Sequence, residues 1–247
     1  PVKIYSYGVM LVVAFLVDYV LLKSELKRRG KDPRLAGDIV FWAAVGGIVG
    51  SRVYYIVENL DRFVRHPFGM IFGGAGLVFL GGLVGGLIAV TLLLKKRGEP
   101  WLPMADALAP LVMLGYAIGR IGCFLVGDDY GVACSLPWGI AFPKGTPPID
   151  TPVHPTQLYE TGLGLILFGV LWNLRTKLKP HGMLFFLYLV LAGVERFFIE
   201  FIRTNPRYLL GLTGAQILSV GMITAGVTFI LRLRSRIPGE SAAEPDR

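Results

Sequence analysis

Seven blocks of about 20 mostly apolar residues, separated by charged loops, leave this chain few folds to adopt. They cover 4–22, 37–57, 74–94, 105–126, 157–174, 182–202 and 214–233. A helix of that length crosses ~30 Å of hydrocarbon, and it satisfies its own backbone hydrogen bonds where no water can. The blocks predict an all-α, polytopic membrane protein of about seven transmembrane helices. They read as one transmembrane domain over 1–237, followed by a polar tail over 238–247. The first block lacks the basic start and small-residue cleavage site of a signal peptide. Composition agrees: 53% of the 247 residues are hydrophobic and 17% charged, below the quarter expected of a soluble domain.

The formal charge of +8 is distributed as a topology signal. Lys23, Lys27, Arg28, Arg29, Lys31 and Arg34 follow the first block, Lys95, Lys96 and Arg97 the third, and Arg175, Lys177 and Lys179 the fifth. Arg232, Arg234 and Arg236 close the seventh, and the alternate loops carry fewer cations. The positive-inside rule then puts the amino terminus outside and the carboxyl terminus in the cytoplasm. No basic face interleaved with aromatics exists, so no nucleic-acid partner is expected. Gly46 with Gly50, Gly81 with Gly85, Gly82 with Gly86 and Gly115 with Gly119 are spaced as small-xxx-small pairs for close helix packing. The outer segment 127–156, with Asp128, Asp129, Asp150 and several prolines, reads as a structured loop or cap. Cys123 and Cys134 are either one disulfide or two free thiols. They make no metal site, and no cofactor is expected.

Ionisable groups inside a bilayer are costly, so each needs a reason. Blocks two, four and six run outward and carry theirs late: Arg52, Arg120, then Glu195, Arg196 and Glu200. Blocks one, three and five run inward and carry theirs early: Tyr5 and Tyr7, the Gly81-Gly82 break, then Gln157, Tyr159 and Glu160. Asp18 and Asp106 are the exceptions near the inner face. This sorting predicts a shared site in the outer half of the membrane. Arg196 and Glu200 lie four apart on one helix face and are expected to pair. Arg120 sits between Gly119 and Gly122 with no carboxylate within a helical turn. Arginines at one depth suit a phosphate, because the guanidinium fork is planar and permanently charged. In lipid the available phosphate is a phospholipid headgroup.

The run Gly119-Arg120-Ile121-Gly122-Cys123-Phe124-Leu125-Val126-Gly127-Asp128-Asp129-Tyr130-Gly131 resembles the signature of the prolipoprotein diacylglyceryl transferases. Further motifs are similar to that family's in the same order: Tyr7-Gly8, Gly50-Ser51-Arg52, Ala105-Asp106 with Ala109-Pro110, and His154-Pro155-Thr156-Gln157-Leu158-Tyr159-Glu160. Glu195-Arg196-Phe197-Phe198-Ile199-Glu200-Phe201-Ile202-Arg203 and Gly214-Ala215-Gln216-Ile217-Leu218-Ser219 complete the likeness. The resemblance implies a bacterial inner-membrane enzyme of seven helices. Such an enzyme moves the diacylglyceryl group of phosphatidylglycerol to the lipobox cysteine of a preprolipoprotein signal peptide, leaving glycerol-1-phosphate. It implies catalytic roles for Arg120, Arg196, Glu200 and Asp128. Arg120, Arg52, Tyr7, His154, Gln157 and Glu160 are expected to contact substrate.

Three positions depart from the family pattern. Leu80 stands where well-known members carry His, Cys123 where the signature usually has Asn, and Asp128 where it often has Glu. Candidate bases for the acceptor thiol are therefore Asp128, Asp129, Glu160 and His154, unless cationic surroundings alone lower the thiol pKa. Two other readings stay open: a homologue that binds phospholipid without transfer, as a partner in a membrane complex, and an enzyme with another acceptor. A transporter is disfavoured by the absence of an inverted repeat and of a polar path inward.

Overall fold

A computed structural model describes residues 6–72 and 78–235. Tyr5, the start of the third apolar block and the tail from Pro238 lie outside the described residues. The elements are α1 (Ser6–Arg28), α2 (Leu35–Glu58), α3 (Leu60–Arg65), α4 (Pro67–Phe72), α5 (Phe79–Arg97), α6 (Trp101–Val126), β1 (Ile140–Phe142), β2 (Ile149–Val153), α7 (Thr156–Leu174), α8 (Met183–Ile199) and α9 (Gly214–Ser235). Each apolar block holds one long helix. α2, α6 and α9 are long and apolar enough to cross a membrane by length and composition. Their outer faces carry large apolar side chains, among them Ile48, Val49, Val53 and Val57 on α2, a surface that fits lipid rather than water.

Several bounds differ from the sequence expectation: α5 runs on to Arg97, α6 starts early at Trp101, and α1 and α8 end elsewhere. α1 continues to Arg28 because Glu25, buried near its end, takes Arg28 Nη2 at 2.6 Å and Arg29 Nε at 2.7 Å. α8 stops at Ile199, and Glu200–Ile202 form a 3₁₀ turn.

The chain divides into two compact units. In Phe15–Met104, α2 packs on α5 through glycine. A Cβ on Gly85 would stand 2.2 Å from Gly46 O, and one on Gly50 2.3 Å from Gly81 O, so nothing larger fits at this backbone separation. Lys31 Nζ meets Glu99 Oε2 at 2.7 Å, and Arg97 at the end of α5 meets Asp38 on α2.

The other unit comprises Pro1–Ala14 with Ala105–Arg247. Here α8 packs on α9 and α7 on α8. Asp106 caps the start of α8, accepting from Gly182 N at 2.6 Å and Phe185 N at 2.8 Å. This carboxylate thus satisfies backbone donors that a helix start leaves orphaned. Segment 127–156 is an ordered cap with an element the helical reading left out: β1 pairs antiparallel with β2. Tyr130 stacks on Phe142 with ring centroids 5.7 Å apart, over buried Val153. Cys123 and Cys134 are buried free thiols.

Candidate functional site

Three stretches of the larger unit bring their charged residues to one place. α6 carries Tyr116 and Arg120, one turn apart. α7 opens after Pro155, whose φ of −74° suits the approach to a helix and whose ring nitrogen has no proton to leave unpaired. Its first turns place Thr156, Gln157 and Glu160, all fully buried. Arg196 lies on α8, Glu200 in the following 3₁₀ turn, and Arg203 where the backbone straightens. The cap is drawn in at Gly131, where a Cβ would stand 2.5 Å from Ile202 O and 2.8 Å from Thr156 Cγ2. Only glycine lets residues 128–131 lie against both the α7 start and the α8 end.

Glu160 is the hub. Its Oε1 accepts from Tyr116 OH at 2.8 Å and Arg196 Nη1 at 2.8 Å, and lies 3.5 Å from Arg120 Nε. Its Oε2 lies 3.3 Å from Arg203 Nη1. Around the hub, Arg196 Nη2 meets Glu200 Oε2 at 3.1 Å, and Asn205 Nδ2 donates to Glu200 Oε1 at 2.6 Å. Asp129 bridges the outer side: Oδ2 takes Arg120 Nη1 at 2.8 Å and Oδ1 takes Arg203 Nη2 at 2.6 Å. Three guanidiniums therefore meet three carboxylates, a balance that removes most of the penalty of burying any one of them.

The two adjacent aspartates differ. Partial burial pushes the Asp129 carboxyl up, but the Arg203 and Arg120 guanidiniums outweigh it and hold it below the usual carboxylate range. Burial, then the Asp129 charge, push Asp128 up. Asp128 Oδ1 is a buried acceptor with no donor, as is Gln157 Oε1, while Gln157 Nε2 donates to Asp128 O at 2.5 Å. A cavity of about 210 Å³ opens beside them, lined by Asp128, Asp129, Tyr130, Arg203 and Asn205 among others.

Of the residues singled out in the sequence, Arg120, Arg196, Glu160 and Glu200 come together, with Asp128 and Gln157 joined to one another. The expected Arg196–Glu200 pair is present. Arg120, without a carboxylate nearby in sequence, has Asp129 and Glu160 in space. Tyr7 packs against the Gly122 backbone, 3.1 Å from where a Cβ would stand. His154 Nδ1 lies 3.3 Å from Tyr159 OH, which also accepts from Trp138 Nε1 at 2.7 Å. Arg52 and Leu80 belong to the Phe15–Met104 unit, on α2 and at the start of α5.

The sequence reading passes over Tyr116 and gives Arg203 no role beyond closing the motif that starts at Glu195. Both had a signal: Tyr116 is four residues before Arg120, and Arg203 extends the Arg196–Glu200 stripe by three.

A helix-built membrane protein whose buried arginines from separate elements share one carboxylate is the class that fold and site define. A model of the prolipoprotein diacylglyceryl transferase family matches residues 1–232. Proteins named phosphatidylglycerol–prolipoprotein diacylglyceryl transferase are similar throughout. That of Pseudomonas paraeruginosa is 36% identical over 94% of this chain and 90% of its own length. Those of Bordetella avium and Clostridium tetani are each 35% identical, over 95% and 91% of this chain and 92% and 91% of their own. The chain belongs to the prolipoprotein diacylglyceryl transferase family.

Proposed function

We propose that this protein transfers the diacylglyceryl group of phosphatidylglycerol to the lipobox cysteine thiol of preprolipoproteins, as its relatives' names describe. The observation that carries the site reading is the meeting of Arg120 and Arg196 at Glu160 Oε1. Two guanidiniums fixed by one buried carboxylate keep their remaining N–H groups in a set geometry, which suits a phosphodiester. The thiolate attacks the glycerol carbon that bears the phosphate ester. The C–S bond forms, that carbon's bond to the phosphate oxygen breaks, and glycerol-1-phosphate leaves with the electron pair. Arg120 and Arg196 stabilise charge growing on the leaving phosphate. Glu160 and Glu200 act as positioning residues, holding Arg196 from two sides.

The thiol proton goes to Asp128. A carboxylate clamped by guanidiniums is a weak base, which argues against Asp129, and both Glu160 oxygens are already engaged by Tyr116, Arg196 and Arg203. Asp128 has an oxygen without a donor and a raised pKa, both favourable for proton acceptance. Gln157 Oε1 offers an acceptor to a substrate hydroxyl, and Tyr7 shapes the Arg120 helix at Gly122. His154 orders the cap through Tyr159, and Arg52 remains a candidate headgroup contact.

The seven long helices are seven spans of a bacterial inner-membrane protein, amino terminus outside and carboxyl terminus cytoplasmic. The loop charges support that orientation. The family match over residues 1–232, running through both units, supports one functional domain.

Leu80, 39% exposed and unable to carry a proton, favours a second reading, a relative that binds phospholipid without transferring it or that uses another acceptor. Purified protein with labelled phosphatidylglycerol and a lipobox peptide separates these. Transfer lost on Arg120→Ala supports the transferase. Lipid binding without turnover supports the binding protein, and transfer to a different thiol or hydroxyl supports the variant enzyme.

A further inference from the structure

The Asp129 carboxylate has an unusual station. It spans two guanidiniums from different elements, Arg120 on α6 and Arg203 beyond α8, at 2.8 and 2.6 Å. Bridging two guanidinium forks through separate oxygens is also what a phosphodiester does. Yet Asp129 is the exposed member of the network: its side chain is 44% exposed, where those of Arg203 and Glu160 are 4% and 0%. Its backbone is held at φ 61°, a left-handed conformation that few residues other than glycine, Asn and Asp adopt. It is also anchored, since Asp129 O accepts from Thr156 Oγ1 at 2.8 Å. The side chain lines the 210 Å³ cavity that would receive it.

We propose that the Arg120–Arg203 gap is the seat of the phosphodiester and that Asp129 is a resident stand-in, which the lipid headgroup displaces into the adjoining cavity. The inference rests on the transferase reading and adds Arg203 and Asp129 to its phosphate site. The exchange is charge for charge. A phosphodiester brings one negative charge and Asp129 removes one, so the three guanidiniums stay matched by three anions. The product is a phosphate monoester carrying ≈ −1.5 to −2 at pH 7, which would hold the arginines more tightly than the substrate did. Return of Asp129 competes it off.

The test is equilibrium titration of the purified full chain in detergent with two probes, short-chain phosphatidylglycerol and glycerol-1-phosphate. Asp129→Asn keeps a side chain tolerant of positive φ and removes the competing charge. If the stand-in occupies the site in about nine molecules of ten, the variant binds both probes about tenfold more tightly. Asp129→Glu, which keeps the charge, stays within about threefold of the wild type, as does Asp150→Asn, which removes an equal charge from exposed β2. Binding by Asp129→Asn no tighter than wild type overturns the proposal, and so does equal tightening by Asp150→Asn, which would leave net charge as the cause. If Asp129→Asn does not accumulate as folded protein, Asp129→Gly, which also tolerates positive φ and removes the charge, gives the same comparison. Arg120→Ala separates the two levels: probe binding lost there without tightening in Asp129→Asn sinks the stand-in alone. Probe binding kept in Arg120→Ala sinks the phosphate reading beneath it.

Discussion

The α2–α5 interface and the Arg120–Glu160 network solve different problems in the same solvent. An ion pair, Arg97 with Asp38, joins α2 and α5 near their ends, but where their backbones meet the contacts are made by glycine. Lipid gives no hydrophobic drive to join apolar helices, so backbones approach until dispersion contacts accumulate, and glycine at 46, 50, 81 and 85 permits it. The network between α6, α7 and the end of α8 starts from groups that are expensive to bury singly. It becomes affordable because every guanidinium meets more than one carboxylate. One region is specified by the absence of atoms and the other by complementary charge, so substitutions should damage them in distinguishable ways.

The sharpest contrast comes from Glu160→Ala. It leaves three buried guanidiniums without their common acceptor, and breaking a buried pair from one side costs about 3–5 kcal/mol. Thermal unfolding in detergent should show that loss together with loss of transfer. A Glu160→Ala protein with wild-type stability would mean that the hub is not what holds the arginines. Next comes Gly85→Ala. The added methyl meets backbone at 2.2 Å and 2.7 Å, from Gly46 O and Gly50 Cα, where no side chain can rotate away. Overpacking of this kind costs about 1–3 kcal/mol, with the transfer rate per folded molecule retained. A combined loss of stability and rate per molecule would break the separation between the two regions.

A smaller effect divides Asp128 from Asp129. The Asp129 carboxyl is held below its ordinary 3.8, so its stabilisation is complete above that value and is lost as pH falls through the lower folded-state pKa. Asp128 is raised, so its ionised form opposes folding above the folded-state pKa, and this opposition fades as pH falls toward 3.8. At pH 7, without added phosphate compounds, Asp129→Asn should therefore lower the melting midpoint and Asp128→Asn raise it slightly. Shifts of the same sign would show that the two carboxylates share one environment. Smallest of all is Gly119→Ala. Nothing stands within 4 Å of the added Cβ, and stability should move by less than about 0.5 kcal/mol, read from the same melts.

Glycine also shows how far local spacing can be read. The pairs 46/50 and 81/85 were visible as small-xxx-small repeats, and they do face each other closely. Gly119 has the same spacing and meets open space, because spacing reports which residues share a helix face and not whether another helix is there. The Arg196–Glu200 pair was legible because it lies within one turn of one helix. Arg120 was read as lacking a carboxylate, since its partners Asp129 and Glu160 lie 9 and 40 positions away (129 − 120 and 160 − 120). The β1–β2 ribbon was hidden because its strands have 3 and 5 residues, too short for alternation to register among the prolines of the cap.

The sequence by itself determined the helices, their lipid environment and the family. Those follow from runs of apolar residues and from contiguous motifs, both local properties of the chain. Only the tertiary structure decided that Glu160 is a hub, that Arg203 joins Arg120 and Arg196, and that Asp129 closes the outer side. The Glu160 contacts join residues 36 to 44 positions apart, and charge attraction at hydrogen-bond range depends on where packing delivers the groups, which no local pattern records.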